Sequence, residues 1–196
     1  MKRGGRTNRR ANERDESDVL KGLAAGLIGG LVASWTMNQF QALVSKLSEE
    51  DKKSQSGKSA QQGGGQGEQK KSQDESKEGD DATVKAASAI SKGVFDHSLT
   101  KSEKKVAGPA VHYAFGTTMG GFYGVMAEVA PIVSVGAGLL FGAAFWLVAD
   151  EAVVPALGLS KSPTEYPAST HASALASHFV YGLTTDIVRR AIRSAL

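Results

Sequence analysis

The chain has 196 residues, a formal net charge of +3 and 23 glycines, a glycine share well above that of ordinary globular proteins. Cysteine is absent, which excludes disulfide frameworks, thiolate metal sites and cysteine nucleophiles. The basic balance does not indicate a nucleic-acid partner, because no basic patch interleaved with aromatic residues occurs. No cofactor or metal motif occurs either, so we expect no cofactor and no metal ion.

Charge is strongly segregated along the chain. Residues 45–105 carry 12 Lys and 11 acidic residues, whereas four other stretches carry no Lys, Arg, Asp or Glu at all. These stretches are residues 22–45, 106–127, 129–149 and 166–185. Each is long enough to cross a bilayer, for which about 20 apolar residues are needed. The sequence therefore predicts an all-α integral membrane bundle of four transmembrane helices.

The first half of the chain divides by composition. Residues 1–18 are predicted to be a basic, disordered cytoplasmic arm, followed by a first transmembrane helix over 19–45. Residues 46–83 are rich in Gln, Ser, Gly and Lys and lack aromatic residues, which predicts a flexible polar linker. Residues 84–105 recover some apolar periodicity. They predict either an amphipathic helix on the bilayer surface or a solvated linker helix.

The second half, residues 106–196, is predicted to be a three-helix membrane region with a basic C-terminal end. Asp150 and Glu151 end the third charge-free stretch, and three prolines follow within residues 152–169, which indicates a loop or a re-entrant piece. Glu128, Asp150, Glu151 and Asp186 are expected to be solvated residues at the ends of spans, because a carboxylate in mid-bilayer is costly.

Both ends of the chain are rich in arginine, with eight Arg residues shared between them. The positive-inside rule places both termini in the cytoplasm, which requires an even number of spans. The lysines of residues 45–105 conflict with this topology, although long segments translocate largely regardless of charge. An alternative is that residues 1–34 are a signal peptide, with Val32, Ala33 and Ser34 as its cleavage site.

Glycines recur every four residues in three of the charge-free stretches. This spacing keeps small residues on one face of a helix, where they allow close backbone contact between helices in lipid. The glycines are interpreted as a packing device, and they also suggest a homo-oligomer formed through glycine faces. The residues concerned are Gly22, Gly26, Gly30, Gly116, Gly120, Gly124, Gly138 and Gly142.

Some ionisable residues lie inside or at the ends of the charge-free stretches. One interpretation is that the histidines are neutral and hydrogen-bonded between helices, and that Asp186 pairs with Arg189 or Arg190 one turn further on. The sharper hypothesis is a proton or ion path. That path would comprise His112, Glu128, His171, His178 and Asp186.

The second half also resembles the YagU-like family of small bacterial inner-membrane proteins of unknown function. The matching pieces are His112, Tyr123-Gly124, Ala127-Glu128-Val129 with Pro131, Leu157-Gly158-Leu159, His178, and Asp186-Ile187 with Arg189-Arg190; Ala25-Gly26 and Gly30 match in the first span. Residues 45–105 depart from the family pattern, and Asp186 stands where a Glu would be expected. The resemblance implies a four-span fold in a bacterial inner membrane and carries over no activity.

Three classes of function remain open from the sequence. The first is a structural or stress-related component of the bacterial inner membrane, with the lipid bilayer as its partner, and the sequence favours this one. The second is a small proton- or cation-linked transporter or channel that uses the intramembrane His and Glu. The third is a soluble helical protein with buried glycine-rich helices. An enzyme is not expected, since no catalytic arrangement of side chains is recognisable.

Overall fold

The computed structural model describes residues 4–59 and 81–196, and every regular element within these ranges is a helix. The helices are α1 (Gly4–Ser59), α2 (Ala82–Phe95), α3 (Lys101–Val129), α4 (Leu139–Val148), α5 (Val154–Ala156) and α6 (Ala168–Ala195). A π-helical turn, Ala149–Val153, joins α4 to α5 without a break. The prediction of an all-α protein is confirmed.

Helices α1, α3, α4 and α6 form a bundle in which successive members alternate in direction. Gly22 lies beside Gly124 and Gly30 beside Gly116, so α1 and α3 are antiparallel. Helix α4 is antiparallel to α6, because Gly138 lies beside Gly182 and Gly142 beside the backbone of His178. Helices α3 and α6 run in the same direction. Asp18 near the start of the bundle part of α1 and Arg193 near the end of α6 therefore lie at the same end of the bundle.

Glycines bring the backbones of α1 and α3 into direct contact. A methyl group built on Gly26 would lie 2.8 Å from the Cα atom of Gly124, and one on Gly30 would lie 2.8 Å from the Cα atom of Gly120. Real side chains do not approach backbone atoms this closely, so only glycine fits at these positions. The glycine faces predicted from the sequence are thus occupied by neighbouring helices of the same chain.

The interior of the bundle consists mainly of small or polar side chains with the buried rings of Tyr123, Phe145 and Tyr181, and its exterior is apolar. Buried positions include Ala25, Ala33, Ser34, Ser177, Thr185 and Asp186, whereas large apolar side chains point outward from all four helices. Leu31 is 49% exposed, Phe122 54%, Leu140 65% and Ile187 56%. A water-soluble bundle shows the opposite distribution, since it gains most of its stability by burying large apolar side chains.

Helix boundaries differ from the predicted ones in the first half of the chain. Helix α1 includes residues 4–18 and 46–59, which the sequence predicts to be a disordered arm and part of a flexible linker; residues 1–3 and 60–80 lie outside the described residues. The helix predicted over 84–105 is split. Asp96 ends α2 in the left-handed conformation, and Thr100 and Glu103 form a capping box that starts α3. Hydrogen bonds from Thr100 and His97 lower the pKa of Glu103 to about 2.

Helix α4 begins ten residues later than the charge-free stretch 129–149 suggests. A 3₁₀ turn, Pro131–Ser134, follows α3, and Gly136, Ala137 and Gly138 all have positive φ, a conformation that interrupts a right-handed helix. The helical rod then continues through the π turn to Ala156. Asp150 and Glu151, which the sequence predicts to end a span, consequently lie within this rod.

Two helices in the described part of the chain are long and apolar enough to cross a membrane. They are Glu16–Glu50, with a mean hydropathy of 1.4, and Leu139–Ala156, with 1.6. The other two bundle helices, α3 and α6, do not meet the same criterion. Their Gly, Thr, Ser, His and Tyr residues lower the mean hydropathy.

We predict that Gly26→Ala and Gly30→Ala each destabilise the bundle, because the added methyl group meets backbone that can move only if α1 and α3 separate. Overpacking of this kind costs about 1–3 kcal/mol. The loss should appear as a lower melting temperature of the detergent-purified protein, followed by the fluorescence of Trp35 and Trp146.

Gly93→Ala is the matched control, since nothing lies within 4 Å of a methyl group at that position in α2. This substitution raises the helix propensity as much as Gly30→Ala does but creates no close contact with another helix. The Gly93→Ala protein should therefore melt at the wild-type temperature or above. Equal melting of Gly30→Ala and Gly93→Ala would contradict the close helix contact.

Candidate functional site

A cavity of about 660 Å³ lies at the end of the bundle where α4 passes into its π turn. We call it the histidine cavity. Its floor consists of buried side chains, among them Ser34, His178 and Tyr181, and its rim includes the exposed Asp81, Lys161 and Tyr166. Three of the four histidines of the chain line it: His112 from α3, and His171 and His178 from α6.

The π turn supplies two adjacent carboxylates to this cavity. In an α-helix, neighbouring residues point about 100° apart, so two consecutive side chains rarely serve one pocket. The extra residue of a π turn widens the helix, and π turns occur frequently at functional sites. Here both Asp150 and Glu151 line the cavity.

Each carboxylate has a histidine neighbour on α6. The Oε1 atom of Glu151 lies 2.7 Å from Nδ1 of His171, whose Nε2 lies 3.0 Å from the carbonyl oxygen of Pro163. These contacts tie the loop before α6 to the π turn. Asp150 is looser, because its Oδ2 lies 3.7 Å from Nδ1 of His178 and its side chain is 42% exposed. Asp150 is therefore the carboxylate left most available to a ligand.

Aromatic rings surround the inner part of the cavity. Phe145 contacts the rings of Tyr181, His178 and Phe115, with centroid distances of 5.3, 5.2 and 5.5 Å. His112 also lines the wall, and its Nε2 atom is buried without a hydrogen-bond partner. A buried ring nitrogen without a partner is costly, which makes it a binding point for a ligand or a water molecule.

A second group of charges lies at the opposite end of the bundle. We call it the arginine cluster. It consists of Asp18 on α1, Glu128 on α3, and Asp186, Arg189, Arg190 and Arg193 on α6. Three carboxylates match three guanidinium groups. The cluster is therefore electrically neutral and links three helices.

Asp186 is the buried centre of the arginine cluster, with a relative exposure of 1%. Its Oδ1 atom accepts hydrogen bonds from the hydroxyl of Tyr123 at 2.9 Å and from Arg189 at 3.3 Å. Its Oδ2 atom accepts one from Nε of Arg190 at 2.7 Å. The pairing with Arg189 and Arg190 follows the spacing noted in the sequence, whereas the contact with Tyr123 joins α6 to α3.

Glu128 bridges α3 to the last turns of α6. Its Oε1 atom accepts hydrogen bonds from Nε of Arg193 at 3.0 Å and from Arg189 at 3.4 Å. Arg193 also donates to Asp18 at 2.6 Å, which brings in α1. The hydrogen bond to Glu128 raises the pKa of the Arg193 guanidinium further above its usual value.

The structure thus divides the five residues of the predicted path into two sets. His112, His171 and His178 share the histidine cavity, whereas Glu128 and Asp186 belong to the arginine cluster. On α3, His112 and Glu128 are sixteen residues apart, which corresponds to about 24 Å along a helix.

His178 does not form the hydrogen bond between helices that the sequence analysis considered. Nδ1 of His178 lies 2.9 Å from the carbonyl oxygen of Ala174 in its own helix, not from a neighbouring helix.

Several residues of the two sites were not among the site residues predicted from the sequence. Tyr123 and Tyr181 are almost fully buried hydroxyl side chains, and Phe145 closes the cavity. Asp150 and Glu151 were interpreted as solvated residues at a span end and were left out of the predicted path. A pair of adjacent acids directly after a strongly apolar helix was the available signal, but the π turn that directs both into one cavity has no sequence signature.

We predict that Asp186→Asn destabilises the protein by about 3–5 kcal/mol, the usual cost of removing one member of a buried ion pair. The amide cannot balance the two guanidinium groups that now converge on the carboxylate. The melting temperature in detergent measures the loss. Asp186→Glu retains the charge and should be much less destabilising.

Asp96→Asn is the control for this substitution. Asp96 pairs with Lys92 on the surface, where its side chain is 89% exposed, so the change should cost no more than about 1 kcal/mol. If the Asp186→Asn and Asp96→Asn proteins have the same melting temperature, the arginine cluster does not hold the helices together.

Comparison with known proteins relates the second half of the chain to one family. Residues 88–187 match the family model DUF1440, which is described as a protein of unknown function. No curated protein and no solved structure matches the chain. The matched segment includes α3 to α5, most of α6 and all three cavity histidines. The chain belongs to the DUF1440 family.

Proposed function

We propose that this chain is an integral membrane protein in which α1, α3, α6 and the rod from α4 to α5 each cross the bilayer. The supporting observation is the distribution of side chains, with large apolar groups outside and small or polar groups inside. Helices α3 and α6 fail a hydropathy criterion only because that measure averages over all faces. Their outward faces carry Phe122, Phe179, Leu183 and Ile187, which lipid would solvate.

The N-terminal part of α1 and the C-terminal end of α6 then lie on the same side of the membrane. The arginine cluster marks that side, and the positive-inside rule makes it cytoplasmic. The histidine cavity faces the opposite side, about 30 Å away along α1 by the helical rise from Asp18 to Asn38. The resemblance to the YagU-like family supports a bacterial inner membrane as the location.

For the activity, we propose a small proton- or cation-linked transporter. The convergence of His112, His171 and His178 with two carboxylates on one cavity carries this proposal. Histidine changes its charge near neutral pH, and ionisable groups within a membrane protein commonly mark the route of an ion or substrate. The floor of the cavity ends where α1 and α3 touch at Gly30 and Gly120, so the described arrangement is closed toward the arginine cluster.

A structural or stress-related role, favoured from the sequence, remains the second proposal. Its support is the rigid packing at the arginine end, where glycine contacts and ion pairs join three helices. The glycine faces are already filled within one chain. A homo-oligomer that used them would have to separate α1 from α3, so self-association would more readily use the outward apolar surface.

We predict a two-sided topology. Reporter tags at the two termini should be inaccessible from outside intact cells, and a tag within residues 60–80 should be accessible. The protein should also stay with the membrane pellet after alkaline carbonate washing. Recovery in the soluble fraction, or equal access to all three tags, would contradict the four-span proposal.

We predict that the purified protein in liposomes carries a proton or cation current above that of empty liposomes, measured with an entrapped pH dye under an imposed membrane potential. His178→Ala and Asp150→Asn should each reduce this flux at least tenfold, because both remove an ionisable group from the cavity.

His97→Ala is the matched control, since His97 is the one histidine of the chain that does not line the cavity. Its side chain is exposed and contacts Glu103. Wild-type flux in this variant together with loss in His178→Ala supports transport. Equal and negligible flux in all proteins, including the wild type, removes the transporter proposal and favours the structural role.

A further inference from the structure

The charges and the apolar walls of the histidine cavity indicate the chemical class of its ligand. Its lining includes the carboxylates of Asp81, Asp150 and Glu151 and one ammonium group, that of Lys161. Both ring nitrogens of His171 face acceptor oxygens, so His171 balances the charge of Glu151, and Asp81 and Asp150 against Lys161 leave the cavity with one net negative charge. A negatively charged pocket with apolar walls attracts cations, because the low-dielectric wall strengthens the field within it.

The walls do not suit a small hydrated metal ion. Among the described residues, no three His, Asp or Glu side chains come together in a way that could hold a metal ion. Most of the remaining lining is apolar, including Met37, Phe115, Val154 and Leu157. Such a surface cannot replace the water shell of a metal ion, but it can bury hydrocarbon.

Aromatic side chains provide the second recognition element. Phe115, Phe145, Tyr166 and Tyr181 all line the cavity. Aromatic faces attract ammonium and phosphonium groups, with a stabilisation of about 0.5–2 kcal/mol for each contact. Pockets that combine aromatic walls with one or two carboxylates are typical of sites for organic cations.

The two carboxylates of the π turn differ in their readiness to bind a charge. Glu151 is already paired with His171 at 2.7 Å, and its side chain is only 17% exposed. Asp150 has no contact that short, since His178 lies 3.7 Å away. Asp150 is thus the better counter-ion for an incoming cation, and the Glu151–His171 pair holds the loop that forms one wall.

We propose that the histidine cavity binds a bulky organic cation, an apolar molecule that carries a single substituted ammonium or similar charge. Asp150 is its counter-ion, and the aromatic walls enclose its apolar part. A volume of about 660 Å³ accommodates a molecule of drug-like size. This inference deepens the proposed transport function by naming its substrate class, and it rests on that function only for movement across the membrane.

Equilibrium binding of radiolabelled tetraphenylphosphonium to the detergent-purified full chain tests the inference. Tetraphenylborate, which has nearly the same shape and the opposite charge, serves as the matched probe. We expect the phosphonium to bind at least tenfold more tightly than the borate. This comparison uses only the wild-type protein, so it does not depend on whether any variant folds. Equal binding of the two probes, or no binding of the phosphonium, would overturn the inference.

The variant Asp150→Asn should weaken phosphonium binding about tenfold while its melting temperature stays close to that of the wild type. Asp150→Glu, which keeps the charge, should retain most of the binding, and the exposed Asp96→Asn should bind as the wild type does. Undiminished binding in a folded Asp150→Asn protein would overturn the role of Asp150.

The binding and flux experiments together distinguish a failure of cation binding from a failure of transport. Phosphonium binding without any ion flux in liposomes supports the cation site and removes the transporter proposal. Proton flux without phosphonium binding supports the transporter proposal and rejects the organic cation as the substrate.

Discussion

The contact between the backbones of α1 and α3 is the constraint on which the remaining structure depends. Gly26 and Gly30 meet Gly120 and Gly124 so closely that no side chain fits between the helices. In lipid, helices gain little from hydrophobic burial against each other, so such contact supplies dispersion that larger side chains would prevent. Helix α6 packs by the same device, against Gly29 of α1 and, through its own Gly182, against Gly138 and Gly142.

The glycine contacts also explain why the two polar sites lie at opposite ends. Where glycines face each other, the helices leave no space for a ligand. Beyond Ser34 the glycine contacts end and larger residues such as Met37, His112 and Phe115 line the histidine cavity. At the other end, Glu128 and Asp186 fill the space between helices with ion pairs instead of a cavity. One end is therefore suited to binding, and the other holds the bundle together.

The sequence predicted the helical class, because helix formation depends largely on local composition. It did not predict the late start of α4. That start depends on positive φ at Ala137, a conformation that alanine rarely adopts and that its tertiary setting imposes. The extent of α1 was also underestimated, since its polar ends were judged by composition alone.

The composition of the two sites was only partly predictable. Pairs such as Asp186 and Arg190 follow from helical spacing, so the sequence revealed them. The association of Asp150 with His178, or of Tyr123 with Asp186, joins residues on different helices. Such contacts depend on the direction and rotation of each helix, and no periodicity in a single sequence specifies these. For this reason the sequence did not reveal that the five residues of the predicted path lie in two separate sites.

The close approach of α1 and α3 can be measured directly, because the natural chain contains no cysteine to interfere. A methyl group on Gly121 would meet the side chain of Leu27, so the double variant Leu27→Cys with Gly121→Cys should cross-link under mild oxidation in native membranes. The pair Leu47→Cys with Gly121→Cys, which places one thiol about 30 Å further along α1, should not cross-link. Efficient cross-linking of only the first pair is the result we predict. Absence of cross-linking in the first pair, or equal cross-linking in both, would contradict the glycine-mediated contact.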